Sequence, residues 1–240
     1  MKRRTRANRP AYRHPGNMFV PIAQQAKRSV ISIRAQLRPA KPQRSGSFAI
    51  PFGWPYADDA ATTESVGTGF IIRSDGYILT SEHVVHNAES IQIKLYNGDK
   101  YAAELIWCDP VRDIAVLRIR ASKPLPAMPL GSSGKTKVGE LVISVGNPLG
   151  LEHTITTGIV SAKNRRMAST KNKKLYEDIL QTDCAIHPGN SGGPVINLNG
   201  QAIGMNAFVV KDNHGLSFAI GMDCIKQHIR SFLPREAGSE

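Results

Sequence analysis

At 240 residues with a formal net charge of +12, the chain fits one β-rich domain of ordinary size. Three cysteines without framework spacing (Cys108, Cys184 and Cys224) argue against a disulfide scaffold and predict reduced, packed thiols. No Cys-x-x-Cys occurs, His83-Val84-Val85-His86 lacks the His-Glu-x-x-His form, and no apolar run approaches transmembrane length, so neither metal, cofactor nor membrane span is expected.

The charge is concentrated at the front. Residues 1–57 carry 12 Lys and Arg and no acid, whereas the rest balances 19 basic against 19 acidic residues. Residues 1–18 therefore read as a basic, disordered, solvated arm, with an anionic partner (nucleic acid or a membrane surface) as its functional alternative. An Arg-rich targeting segment is a further alternative, though Pro10 and Pro15 spoil an amphipathic helix. The run Met18-Phe19-Val20-Pro21-Ile22-Ala23 is too short, and too broken by proline, for a secretory signal, which points to a cytoplasmic location on the sequence as it stands. Residues 37–63 form an irregular stretch in which Pro39, Pro42, Pro51 and Pro55 alternate with Phe48, Phe52, Trp54 and Tyr56. Aromatic side chains at that density need a surface to bury against.

From there the chain reads as short β-rich runs between turns: 69–72, 77–80, 90–96, 101–107, 113–119, 140–145, 155–162 and 178–182. Ser74-Asp75-Gly76 and Asn97-Gly98-Asp99 supply two of the turns. The basic run from Arg165-Arg166 to Lys173-Lys174 is expected to be an exposed loop. After residue 193, the runs 194–198 and 201–208 flank Asn199-Gly200, a hairpin signal. Helical spacing is clear only at 223–233, where Ile225, Ile229 and Phe232 share a face and Asp223 is placed to cap. The fold class is all-β with a C-terminal helix, and residues 19–233 form the domain, ahead of a short tail at 234–240.

The chemistry lies at Gly189-Asn190-Ser191-Gly192-Gly193-Pro194. Glycines on both sides of a small hydroxyl bare the backbone, so a carbonyl can approach Ser191 and backbone N–H groups can face the oxygen that becomes negative. A serine needs a base, and His83 is the histidine at the end of an apolar strand, Tyr77 to Thr80. A base needs an orienting acid, and Asp113 opens the apolar run Ile114 to Ile119. The order His, Asp, Ser is one of those known for the serine triad. Gly-x-Ser-x-Gly also fits the nucleophile elbow of α/β-hydrolases, but that needs a helix after the serine, where this sequence has a strand.

Several motifs taken in order resemble the HtrA (Deg) family of trypsin-like serine proteases. They are Val66-Gly67-Thr68-Gly69-Phe70-Ile71-Ile72, Leu79 to Val85, Asp113 to Ile119, Gly146-Asn147-Pro148-Leu149-Gly150, Thr157 to Ala162, Gln181 to Pro194, and Leu216-Ser217-Phe218-Ala219-Ile220. The stretch Phe19 to Arg34 is similar to that family's first strand.

The resemblance implies two six-stranded β-barrels with the site between them, His83 and Asp113 from the first and Ser191 from the second. It implies an oxyanion hole in Gly189, Asn190 and Ser191, and a substrate site in Ala185, Ile186 and the strand Ser217-Phe218-Ala219, the last by β-augmentation. Substrates would be unfolded proteins or peptides cut after small or medium apolar residues, and the assembly a homotrimer. The family works in cell envelopes or organelles, which implies a periplasmic or organellar location, and its members commonly carry PDZ domains, for which no segment is visible in this sequence. Asn190 stands where trypsin-like digestive enzymes carry an aspartate that pairs with a new N-terminus, so activation by cleavage is not expected. Glu82, Cys184 and His187 depart from the family pattern, and Glu82 places a second carboxylate beside the base. A protease fold retained for binding or chaperone-like holding is the competing function; its mark would be a missing triad residue, and all three are present.

Overall fold

The computed structural model describes residues 15–38, 64–146, 154–169, 174–187, 189–209 and 216–234. The basic arm, except for Pro15–Asn17 in a 3-10 turn and Met18 after it, lies outside them, as do the aromatic segment 39–63 and the tail from 235. Two β-sheets form the body. The first contains β1 (Val30–Leu37), β2 (Glu64–Ile71), β3 (Tyr77–Thr80), β4 (Ala88–Lys94), β5 (Lys100–Ala102), β6 (Glu104–Asp109) and β7 (Ile114–Arg118), in the order β5-β4-β1-β2-β3-β7-β6. The second is a closed barrel of β8 (Leu141–Gly146), β9 (Thr154–Ser169), β10 (Lys174–Thr182), β11 (Pro194–Asn197), β12 (Ala202–Val209) and β13 (Ser217–Gly221), in the order β10-β13-β12-β11-β8-β9.

The second sheet is the expected six-stranded barrel; the first has seven strands and no closing ladder. The cause lies at Ala103. The run 100–109 is nearly continuous, yet its first part pairs with β4 and its second with β7, at opposite ends of the sheet. Because one residue joins the two edge strands, the sheet must curl back on itself. What reads in sequence as one strand is bent into two, with Ala103 N–H donating to Ile91 O at 2.9 Å.

The cores follow from alternation and full burial. In β1, Val30, Ile31, Ile33 and Ala35 are buried while Arg34 and Gln36 are exposed. β3 and the first four residues of β7 are buried throughout, as expected of apolar strands deep in a sheet. Ile31, Ile33, Ile71, Ile78, Ile93 and Leu117 fill the first sheet. Val142, Val160, Leu180, Val195 and Ile203 form a cluster in the second.

The helices differ from expectation. Phe19–Ser29 is a helix (α1), and only Val30 onward is strand. Pro21 is tolerated because it falls in the first turn, where backbone N–H groups lack intrahelical partners. The other helices are α2 (Glu82–Val85) and α3 (Met222–Ile229). In α3 the N-cap is Gly221, not Asp223. Asp223 lies inside the first turn, and its Oδ2 accepts from Ser132 Oγ at 2.6 Å and Gly134 N–H at 2.9 Å. Ile225 and Ile229 are buried as expected, but Phe232 lies past the helix end and stacks on Trp107 with centroids 4.8 Å apart. The basic run is not a simple loop either. Arg165 and Arg166 lie in β9 and Lys174 starts β10, with Lys174 paired to Ser169 across the hairpin.

Candidate active site

β3 ends at Thr80, and one turn of helix, α2, then carries His83. The junction is fixed by polar bonds: Thr80 Oγ1 donates to Thr68 O within the first sheet at 2.7 Å, and Ser81 Oγ donates across the seam to Asn206 O at 3.4 Å. Asp113 is delivered by the turn from β6 to β7. Asp109 Oδ1 accepts from the N–H groups of Val111 (2.9 Å) and Arg112 (3.0 Å), an Asx arrangement that folds the turn. Asp113 itself has φ +61, a left-handed conformation rare for any residue with a Cβ and one of the places where strain gathers at functional sites.

His83 and Asp113 meet. The imidazole Nδ1 lies 2.8 Å from Asp113 Oδ2 and 3.0 Å from Oδ1, and the His83 backbone N–H donates to Oδ1 at 3.0 Å. The carboxylate side chain is 1% exposed and the imidazole 41%, so the acid is shielded while the base faces outward. Burial by itself would push the Asp113 carboxyl up. The His83 imidazole and the Lys174 ammonium outweigh it and hold the carboxyl well below the usual carboxylate range. The folded value therefore lies below that of the unfolded chain, about 3.9. The ionised group contributes stability that is complete above that value and is lost as pH falls toward the folded one. The urea midpoint is thus expected to drop between pH 6 and pH 3, and to drop less in Asp113→Asn, which has no such carboxyl to protonate. An equal drop in both proteins would count against the linkage.

Ser191 belongs to a loop stapled to both sheets. Its carbonyl accepts from Thr68 N–H of β2 at 3.0 Å, and Thr68 Oγ1 donates to Gly189 O. Gly192 N–H donates to Asn206 O at 2.9 Å, and Asn206 N–H to Gly193 O at 2.8 Å. These bonds bring the serine loop to the seam at which β3 hands over to His83. Gly192 must be glycine. Its φ is +82, and a Cβ there would meet Thr68 O at 2.3 Å and Thr80 Oγ1 at 2.4 Å. Gly189 has φ +89. The element after the serine is the strand β11, not a helix, so the nucleophile-elbow alternative falls.

The remaining expected site residues divide. Asn190 N–H donates to His187 O at 3.0 Å and so is engaged within the loop. The Asn190 side chain is buried under Gly146, with neither amide atom partnered among the described residues. Ala185 is exposed and Ile186 half-buried, and Ala185 O accepts from Thr156 Oγ1 at 2.9 Å. Ser217-Phe218-Ala219 cannot take a substrate strand. β13 is paired with β10 on one side and β12 on the other, all five of its residues are buried, and Ser217 Oγ is used by Cys184 O at 2.6 Å. β12 continues to Val209, whereas its ladder with β11 runs from Ala202 to Met205.

One neighbour of the His83–Asp113 pair was not found from sequence. Lys174 Nζ sits 2.5 Å from Asp113 Oδ1 and 3.9 Å from Glu82 Oε2. Glu82, departing from the family pattern beside the base, points away from it: its side chain is 6% exposed and pairs with His86 Nδ1 at 2.5 Å. Among the described residues no cluster of His, Cys, Asp and Glu is arranged to hold a metal, and no helix is long and apolar enough to cross a membrane. The three cysteines are unpaired, with burial pushing the Cys184 thiol up to about 11.

Comparison with known proteins places this geometry in a lineage. Residues 67–205 match the trypsin-like peptidase domain. A probable periplasmic serine endoprotease, DegP-like, of Chlamydia trachomatis is 45% identical over 157 residues, covering 64% of this chain and 31% of that protein. Its namesake in Pseudomonas putida is 44% identical over 172 residues, covering 70% and 35%. The chain thus spans about a third of the length of these curated relatives. Among solved structures, the HtrA-type protease AlgW with tripeptide superposes with a TM-score of 0.73 at 31% identity, over 89% of this chain and 62% of that one. AlgW with decapeptide gives 0.70 at 31% identity, over 89% and 67%. With the two sheets, the buried acid on the imidazole and the glycine-bracketed serine at their seam, the chain belongs to the trypsin-like serine peptidases of HtrA type.

Proposed function

We propose that the chain is a serine endopeptidase acting on unfolded proteins through Ser191, His83 and Asp113. The observation that carries this is the contact of His83 Nδ1 with a buried, ionised Asp113, next to a serine loop bonded to the same sheet. His83 takes the Ser191 proton as the hydroxyl attacks a peptide carbonyl. Asp113 holds the tautomer that leaves the other ring nitrogen free and stabilises the imidazolium that forms. The N–H groups of Gly189 and Ser191 receive the oxyanion, each donor worth on the order of 10²–10³ in rate. His83 then protonates the leaving amine and water releases the acyl group. Action in the periplasm, the compartment given in the names of the relatives, belongs to the same proposal.

Labelling with a fluorophosphonate tests the reading. Wild-type protein should be labelled and Ser191→Ala should not. A folded wild type that resists labelling but still retains unfolded chains would instead support a binding module.

Specificity follows from Ala185, six residues before the nucleophile. It carries no charge to pair with a substrate Lys or Arg, and an unpaired cation is costly to bury. Cleavage after several small or medium aliphatic residues is expected, with discrimination of about 1–3 kcal/mol per methylene. A peptide-library profile dominated by cutting after Lys or Arg would overturn the assignment of Ala185.

A further inference from the structure

The Asp113 carboxylate has a partner that its role toward His83 does not require. Oδ2 faces His83 Nδ1, and Oδ1 receives both the His83 backbone N–H and the Lys174 ammonium. Lys174 comes from the other sheet, 61 residues along the chain. Its place is fixed by neighbouring bonds. Leu175 N–H donates to Val111 O at 2.8 Å, and Arg112, held by Asp109 at 3.0 Å, reaches Glu177 at 3.3 Å. The start of β10 is thereby docked on the turn that presents Asp113. The Lys174 side chain is 14% exposed, so little water screens its charge.

The charges around it form a short network. Asp113 and Glu82 are two buried carboxylates, Lys174 is the cation between them, and His83 and His86 are their exposed imidazole partners. The other groups facing the network are the Tyr176 hydroxyl on β10, which burial and the two carboxylates push up, Cys108 and Asp109 on β6, and Arg112 in the turn. Without Lys174 the base would face the buried Asp113 carboxylate with no cation on its outer oxygen, and Glu82, turned toward His86, would lose its nearby cation as well. Such a field favours the imidazolium, and an imidazolium cannot accept the serine proton.

We infer that Lys174 is a positioning residue of the triad, its ammonium clamping the outer face of Asp113 and offsetting the second carboxylate, Glu82, so that less uncompensated negative charge acts on the His83 imidazole. This rests on the proteolytic reading of the site. Lys174 lies nearer Asp113 than Glu82, 2.5 against 3.9 Å, so its charge acts first on the triad acid.

The test is the pH profile of kcat/KM for a short peptide substrate. Lys174→Met keeps most of the side-chain volume and removes the charge. Its acid limb should move up by about one pH unit, the low end of what an adjacent charge does. Activity at pH 6 should then fall roughly tenfold, with little change at pH 9. Lys174→Arg should restore the wild-type limb. Adding Glu82→Gln to Lys174→Met should draw it back toward acid, and a His86→Gln background removes the second imidazole from the titration. If Lys174→Met does not fold by circular dichroism, Lys174→Gln serves in its place.

The Cε1 proton of His83, followed by NMR, gives a readout independent of turnover and should be displaced in the same direction. Failure of fluorophosphonate labelling in the wild type would sink the proteolytic reading while leaving this NMR result to decide on Lys174. An acid limb and a His83 titration that coincide in wild type and the charge-free variant, or an arginine variant that restores nothing, would overturn the inference.

Discussion

Ser191→Ala is expected to lower kcat on a peptide substrate by about 10⁶, with KM nearly unchanged and the circular dichroism spectrum intact. The size of the loss reflects the role of the missing atom. The hydroxyl oxygen forms the covalent bond, and its removal leaves only substrate binding and the oxyanion donors, which sustain a residual rate of about 10³–10⁴ over water. KM should hold because the backbone bonds that seat the loop do not involve the side chain: Ser191 O still accepts from Thr68 N–H, and Gly192 N–H still reaches Asn206 O. His83→Ala should cost a similar factor. The double variant should be no worse than either alone, since the two groups act as one unit. A casein assay and a burst-phase measurement on both variants check this. Undiminished digestion by Ser191→Ala would show that another nucleophile does the work.

The features legible in the sequence were those that depend on local spacing. Ser191 among glycines, His83 at the end of an apolar strand and Asp113 at the mouth of another each have a local signature, and their chain order supplied the rest. Lys174 had none. It sits in a basic run that looks like a solvated loop, and its meeting with Asp113 depends on the register of the β9–β10 hairpin and its docking on a distant turn. The choice of Ser217-Phe218-Ala219 as a substrate strand failed for a related reason. An apolar run reads alike whether one edge is free or both are paired, and only closure of the second barrel puts β13 between β10 and β12. The break at Ala103 was hidden because a continuous β-rich run does not reveal that its two halves pair with different neighbours. Helix α1 was masked by Pro21, which reads as a breaker unless it falls in the first turn.

Asp113→Asn is the sharper probe, because it should leave the protein folded and still cost about 10⁴ in kcat at neutral pH. The backbone at position 113 has φ +61, and asparagine is among the residues that tolerate that conformation best, whereas a β-branched residue there would be strained. The amide also matches the carboxylate in size, so the turn set by Asp109 is undisturbed. The change is in hydrogen-bond sense. A carboxylate only accepts and therefore holds a proton on His83 Nδ1, leaving the opposite nitrogen free to take the serine proton. An amide can turn its NH₂ toward Nδ1, moving the proton to the nitrogen that should act as base. Lys174 adds a second cost, since its ammonium would face a neutral amide and retain only Glu82, 3.9 Å away, as a buried counter-charge. The variant should therefore be less stable than wild type above pH 5 as well as slow. At pH 3 the unfolded wild-type chain already gains by protonating this carboxyl, so the stability difference should narrow. Steady-state kinetics at neutral pH with urea titrations at both pH values measure the two effects separately. A variant within tenfold of the wild-type rate would mean that Asp113 does not orient the base.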